Sequence, residues 1–337
     1  MKRSRRVTNA DVARRAGVST MTVSRVVNDN GRVSEATRQR VRRAIAELGY
    51  QPNQLARSLT QGRTRTIGIV VPDITNPFFP EIVRGAEDAA WQAGYTVALA
   101  NAVEDPARER AAVRNLAGHR VDGIIVCSPR LADHELAELL AAHSAAVLIN
   151  RHVAGARAVS LMVDDQHGAD LAVRHLVAGG RRRLLHLGGP ERSASARYRR
   201  AGFVAAVKAA RLPQDGNRLL SCEPTEEAGY ELLARLVAAG ARSAGGFDGI
   251  VAYNDLSALG AVRALQDAGL RVPEDVAVVG CDDIRLASLA SPSLTTLRIE
   301  KYRMGRLACE TIFELQRGAH PGDVTFRPEL IVRESAP

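Results

Sequence analysis

Residues 7–28 read VTNADVARRAGVSTMTVSRVVN. Thr8 precedes a helical period, and Asp11 stands at its third helical position, an acidic form of the capping box. Val12, Ala13 and Ala16 fall on one face of the helix expected over 9–16. Gly17-Val18 breaks it. Ser19 can cap a second helix, from Thr20 to about Asn28, with Val23, Val26 and Val27 inward. That leaves Thr20, Met21, Ser24, Arg25 and Asn28 on the opposite face. Two short helices joined by a tight glycine turn make a helix-turn-helix. The outward face has the geometry of a recognition helix, whose N-terminal residues meet base edges in a major groove. Arg25 suits guanine or a phosphate, and Met21 a thymine methyl. A third helix follows, capped by Ser34 and ended by Gly49, with Val41, Ile45 and Leu48 inward and Arg38, Arg42 and Arg43 outward. A generic amphipathic helix accounts for any one of these. All three together, with this turn, point to duplex DNA.

Charge points the same way. Residues 1–65 carry fifteen Lys or Arg against four Asp or Glu, and the rest carries 31 against 33. The net charge of +9 therefore resides in the first fifth of the chain. A basic module on a near-neutral body is the footprint of a polyanion binder, against the plainer reading of a solvated basic tail. The 337 residues, 46% hydrophobic and 25% charged, fit two or three folded domains and exclude a disordered chain. No stretch is apolar enough for a membrane span. The basic start is followed by Thr8, Asn9 and Asp11 rather than an apolar run, so no export signal is expected. Cys127, Cys222, Cys281 and Cys309 lie far apart, without a CxxC pair, which fits a reducing cytoplasm. The short segment 53–59, opened by Asn53, is barely two helical turns and should be ordered only when packed on something.

From residue 66 the text alternates. Strand-like runs stand at 67–71, 96–100, 123–127, 146–149, 160–163, 183–187, 249–253 and 276–280, with helical periods such as 81–93, 104–117 and 256–268 between them. This is α/β text with parallel sheets. It is long enough for two similar lobes, divided near Asp164, with 293–299 and 324–332 crossing back. The expected domains are 1–52 (headpiece), 53–65 (hinge helix and linker), 66–164 with 296–323 (first lobe), and 165–295 with 324–337 (second lobe).

Sites in such sheets lie beyond the carboxyl ends of the strands. There the sequence sets Asp73, Asn76, Phe78 and Phe79; Asn150 and Arg151; Ser193, Ser195, Arg197 and Arg199; Asn254 and Asp255; and Asp282 and Asp283. Aromatic faces stack on sugars, while planar Asp, Asn and Arg groups take paired hydroxyls. Helix capping explains at least one of Asn254 and Asp255.

Several of these stretches resemble the lactose-repressor/galactose-repressor (LacI/GalR) family. They are residues 7–19 and 22–28, Leu48-Gly49-Tyr50-Gln51-Pro52-Asn53, residues 73–79, Asn254-Asp255, Val279-Gly280-Cys281-Asp282-Asp283 and residues 327–335. The resemblance runs over essentially the whole chain. It implies a homodimeric bacterial regulator: a helix-turn-helix headpiece, a hinge helix, and a two-lobed body like type I periplasmic sugar-binding proteins. The DNA-contacting set is then Thr8, Ser19, Thr20, Met21, Thr22, Ser24, Arg25, Asn28, Asn53, Leu55, Ala56 and Leu59. Thr20-Met21 match the operator-discriminating pair, and Leu59 the hinge leucine that wedges into the minor groove. The effector-contacting set is Asp73, Asn76, Phe78, Phe79, Asn150, Ser193, Arg199, Asn254 and Asp282, with Arg199 preferred to Arg197 as the ligand arginine. Cys281 departs from the aromatic found in many relatives. The chain ends at Pro337 without a heptad extension, which argues against a tetramerising coil.

The function expected is a transcriptional regulator, in the repressor sense, that holds double-stranded operator DNA. Its effector would be a sugar, sugar acid or polyol, with a purine or nucleoside as the other possibility. The alternative is a solute-binding protein of a transporter. An enzyme is not expected: no full G-x-G-x-x-G, P-loop, H-E-x-x-H or G-x-S-x-G is present, so no cofactor or metal is assigned.

Overall fold

The structure, a computed structural model, describes residues 7–29, 31–51, 63–213, 218–239 and 246–337. The expected hinge contacts Asn53, Leu55, Ala56 and Leu59 lie outside them. The chain divides into two compact units, Met1–Thr64 and Arg65–Pro337.

In the first unit, α1 (Asn9–Ala16) opens with the full capping box: Thr8 accepts from the Asp11 amide, and Asp11 accepts from the Thr8 amide at 3.0 Å. Gly17 ends it in the left-handed region, φ 65°, which only glycine enters without strain. Ser19 caps α2 (Thr20–Val27), and Ser34 caps α3 (Glu35–Leu48), which Gly49 closes at φ 60°. Val12, Val23 and Val41 meet in a small core completed by Ala13, Ala16, Val26 and Ala44. Ile45 and Leu48, expected inward, are half-buried at its margin, and Ala44 takes the central place.

The second unit is built from two six-stranded sheets. The first lobe runs β1 (Thr66–Val71), α4 (Phe78–Gln92), β2 (Thr96–Asn101), α5 (Pro106–Gly118), β3 (Gly123–Cys127), α6 (Asp133–Leu140), β4 (Ala146–Ile149) and β5 (Val159–Val163). The second runs α7 (Asp165–Ala178), β6 (Leu184–Gly188), α8 (Ala194–Ala209), β7 (Arg218–Ser221), α9 (Glu226–Ala238), β8 (Gly249–Ala252), α10 (Asp255–Asp267), β9 (Ala277–Asp282), α11 (Arg285–Leu289) and β10 (Thr295–Arg298). The tail adds α12 (Lys301–Gln316), β11 (Val324–Phe326) and β12 (Glu329–Ile331). The sheet orders are β11-β5-β4-β3-β1-β2 and β12-β10-β9-β8-β6-β7, the same winding twice. All pairings are parallel except β10 with β12. Both faces of each sheet are covered by apolar clusters, which is why the central strands read as unbroken apolar runs.

The tail corrects the expected lobe boundaries at two strands. Residues 296–298, assigned to the first lobe, belong to β10, which pairs with β9 in the second sheet. Residues 324–326, assigned to the second lobe, form β11, which pairs with β5 in the first. Buried neighbours decide the matter: Thr296 donates to the buried Asp255 carboxylate, while Phe326 joins the first-lobe core. α12 packs on α4 through a close approach of two glycines. A Cβ at Gly305 would fall 1.8 Å from the Ile82 carbonyl, and one at Gly85 2.0 Å from the Tyr302 carbonyl.

Candidate functional site

In each sheet the winding reverses between the first and third strands of the lobe, β1 with β3 and β6 with β8. A crevice forms at such a reversal, beyond the carboxyl ends. The residues that line it come from both lobes. From the first lobe, Asp73 accepts from the Thr75 amide and Asn76 from the Phe78 amide, both at 3.0 Å. These bonds fix the turn that delivers Phe78 and Phe79, edge to face with centroids 5.1 Å apart. Asn150 stands at the end of β4 with φ 57°. Its amide nitrogen donates to Ser128 at 3.3 Å, while its buried Oδ1 has no partner among the described residues.

The second lobe supplies charge. Arg199 is 7% exposed. Its Nε donates to Asp165 at 2.7 Å, its Nη1 to the Tyr253 carbonyl, and its Nη2 lies 4.0 Å from Asp282. It also lies over the Tyr253 ring. Burial, the largest influence, pushes the Asp282 carboxyl well above the usual carboxylate range against the pull of Arg199. Asp165 is raised by burial in the same way. Asn254 caps α10, accepting from the Ser257 amide at 3.0 Å and donating to the Pro224 carbonyl.

Seven of the expected effector residues line this cleft: Asn76, Phe78, Phe79, Asn150, Arg199, Asn254 and Asp282. Asp73 and Ser193 stand behind it. Ser193 caps α8 and hydrogen-bonds the Tyr253 hydroxyl at 3.0 Å. Arg151, expected beside the cleft, turns to Asp133 at 2.6 Å. Arg197 is exposed and bound to the Glu191 carbonyl, while Arg199 lines the cleft. Cys281 lines a small void behind the cleft with Asp165 and Arg199 rather than the cleft wall. The sequence reading missed Glu104, Ser128, Arg130, Pro224 and Tyr253, which also line it. Arg130 is clamped on Glu104 at 2.7 and 3.0 Å. Ser128 and Arg130 follow β3 directly, so the carboxyl-end rule would have found them.

The cavity left between the walls is about 20 Å³, room for about one water. The ion pairs of the cleft lie within one lobe or the other. Among the described residues, no hydrogen bond or ion pair joins a lining residue of one wall to a lining residue of the other. The buried Lys301, at the start of α12, is the charge that ties the two lobes behind the cleft: it donates to the Asp282 and Asp283 carbonyls and pairs with Glu81 at 3.6 Å.

In the headpiece, Ser19, Thr20, Met21 and Arg25 are exposed on α2, Met21 at 63%. Thr22 bonds the Ser19 hydroxyl at 2.9 Å, and Asn28 donates to Ser24 at 3.3 Å, so these hold the helix ends. Thr8 is exposed but committed to its capping box. Arg14 pairs with Asp11 and Arg15 with Glu47. Among the described residues, Arg25, Arg42 and Arg43 have no carboxylate partner.

Comparison with known proteins places both parts. Residues 64–332 match the model of periplasmic binding proteins and the sugar binding domain of the LacI family. Residues 8–53 match bacterial regulatory proteins, lacI family. The HTH-type transcriptional regulator GalR of Salmonella typhimurium is 35% identical over 327 residues, covering 96% of this chain and 94% of the relative. The HTH-type transcriptional repressor PurR of Photobacterium profundum is 34% identical over 330 residues, covering 96% and 97%. A crystal structure of the Lac repressor dimer bound to operator and the anti-inducer ONPF superposes with a TM-score of 0.86 at 30% identity, covering 98% of this chain and 99% of that one. The transcriptional regulator CelR in its cellobiose complex gives 0.72 at 31% identity, covering 98% and 100%. These relatives are transcriptional regulators rather than enzymes, and the matched headpiece disfavours a plain solute carrier. No described helix is long and apolar enough to cross a membrane. With both models matched in order and relatives aligned nearly end to end, the chain belongs to the LacI family of bacterial regulatory proteins: a DNA-binding transcriptional regulator with an effector-binding body.

Proposed function

We propose that the effector is a polyhydroxylated small molecule (a sugar, sugar acid or polyol) held in the cleft, and that a homodimer presents two headpieces to a pseudo-palindromic operator. The observation that carries the effector class is the unpartnered buried Oδ1 of Asn150, set opposite Asp282 and Arg199 and beside the Phe78–Phe79 pair. A hydroxyl satisfies Asn150, a vicinal pair of hydroxyls suits the planar carboxylate and guanidinium, and an aromatic face takes the apolar side of the ring.

Because each wall keeps its own ion pairs, the ligand itself supplies the polar bonds that cross the cleft. It therefore binds the closed and parted arrangements with different affinity, which is the requirement for shifting a population. Thr20 and Met21 read bases, while Arg25, Arg42 and Arg43 hold phosphates. Leu59, beyond the described residues, is the wedge that the family resemblance assigns to the operator centre.

Fluorescence anisotropy on duplexes from the gene's own upstream region tests this. One fragment should bind with salt-sensitive preference over random duplex. One compound from a panel of sugars, sugar acids and polyols should then change that affinity by roughly 5–150-fold. Equal binding to every duplex would remove the operator reading. A response to nucleosides alone would move the effector to another class.

A further inference from the structure

The second lobe contains a larger cavity, of about 460 Å³, between α8 and the β6–β7 edge of its sheet. That is the size of a small-molecule site. It borders a different face of α8 from the cleft: Arg197 and Arg200 look onto it, whereas Ser195 and Arg199 line the cleft.

Its inner wall includes His186, 1% exposed. The ring is stacked on Phe203, with centroids 5.1 Å apart and planes 22° apart, so its orientation is set. Nδ1 lies 3.2 Å from the Val251 carbonyl. A carbonyl can only accept, so Nδ1 carries the proton. Burial holds the imidazole down to about 4, so at neutral pH Nε2 is a bare acceptor. It is buried and has no partner among the described residues, an unusual condition for a native polar atom. Gly188, two residues along on the same face of β6, also borders the cavity. A Cβ there would stand 3.2 Å from Nε2, so a side chain at 188 would crowd that nitrogen, and the glycine keeps the cavity wall beside it thin.

The rim is basic. Arg197 donates to the Glu191 main-chain carbonyl at 2.8 Å, and among the described residues no carboxylate pairs with it. Arg200 lies 3.4 Å from the Glu191 carboxylate, so one of the two positive charges is uncompensated. Leu219 gives an apolar flank and Ser221 a hydroxyl.

We propose that this cavity is a second ligand site, separate from the cleft, for a small hydroxylated anion. A hydroxyl of the ligand donates to His186 Nε2, its phosphate or carboxylate meets Arg197 and Arg200, and its carbon skeleton lies along Leu219. A neutral sugar lacks the anionic end, and inorganic phosphate lacks the reach from rim to inner wall.

Isothermal titration of the full chain with glucose-6-phosphate and with gluconate tests it, with glucose and inorganic phosphate as controls. At least one of the two hydroxylated anions should bind. Arg197→Glu should weaken that binding by about tenfold or more. His186→Phe, which keeps a ring to stack on Phe203 but removes the acceptor, should weaken it as well. Should His186→Phe fail to fold, Arg197→Glu decides alone, because that side chain is exposed. Asp282→Asn, which alters only the cleft, should leave this binding unchanged. Three results overturn the proposal: no binding of either anion at millimolar concentration, equal binding of inorganic phosphate, or binding lost in Asp282→Asn but kept in Arg197→Glu.

Discussion

The headpiece and the body solve recognition in opposite ways. On α2 the side chains proposed to read bases stand in water, Met21 at 63% exposure, and among the described residues Arg25, Arg42 and Arg43 have no carboxylate partner. In the cleft, Arg199 is 7% exposed, and its Nε and Nη1 bonds go to groups of its own lobe. The difference follows from the ligand. A duplex arrives as a dense polyanion with its own field, so exposed cations suffice and specificity needs only a few protruding groups. A small molecule brings far less field than a duplex, so a buried site must be preorganised, with its charges held in place before a ligand arrives.

The sharpest way to break this contrast is Arg199→Ala. It leaves Asp165, 2% exposed at the side chain, buried without its cation. Removing one partner of a buried pair costs about 3–5 kcal/mol. Thermal or urea unfolding should show the body destabilised by that order, along with loss of effector binding. A change below about 1 kcal/mol would mean that the pair is solvated and that the contrast with the headpiece is false.

Asp282→Asn comes next. Above the pH at which the Asp282 carboxylate forms, a charged acceptor is worth about 1.5–3 kcal/mol, so there effector affinity should fall by roughly tenfold or more while operator affinity is unchanged. The pH dependence has a definite sign. Burial raises the Asp282 carboxyl, so it stays protonated above the ordinary carboxylate range. As pH rises through that raised value the carboxylate forms and accepts ligand hydroxyls more strongly. Calorimetry across neutral pH should therefore show affinity rising with pH in the native chain and flat in Asp282→Asn. A flat native profile would place the ligand away from Asp282.

Asn150→Gly is milder. Glycine keeps the left-handed backbone at φ 57° and deletes only the amide. The lost acceptor should weaken the effector by about 0.5–1.5 kcal/mol, a few-fold change in titration. Unaltered affinity would mean that Asn150 Oδ1 is satisfied by water in both states.

What the sequence disclosed divides along the same line. The headpiece was legible nearly residue by residue, because caps such as Thr8, Ser19 and Ser34 and stops such as Gly17 and Gly49 act within a few positions of themselves. The strand–helix alternation of the body was legible for the same local reason. β7 was not: Arg218–Ser221 is a short edge strand with one buried neighbour, so no apolar run marks it. Nor could the text say that Thr295–Arg298 and Val324–Phe326 sit in opposite sheets, since both are β-rich and only distant contacts choose between sheets. In the cleft, the carboxyl-end rule located Arg199 and Asp282. The same rule reaches Arg130, just past β3, but its side-chain direction is set by Glu104 and its main chain by Glu109, more than twenty residues upstream. Tyr253 escaped because it reads as the last residue of a strand.

The smallest structural effect should come from Met21→Ala, and it tests the headpiece side of the contrast. An exposed side chain away from caps and core changes stability by no more than about 0.5 kcal/mol. The proposed phosphate contacts of Arg25, Arg42 and Arg43 are untouched, so the salt dependence of nonspecific binding should keep its slope. What should change is the ranking of half-sites, because a base-edge contact distinguishes sequences by about 1–3 kcal/mol. Anisotropy against a set of half-site variants separates these outcomes. A uniform loss across all duplexes, with the ranking intact, would make Met21 a packing residue of the protein–DNA contact and leave the reading to Thr20 and Arg25. A loss confined to duplexes with thymine at one position would identify the methyl group it touches.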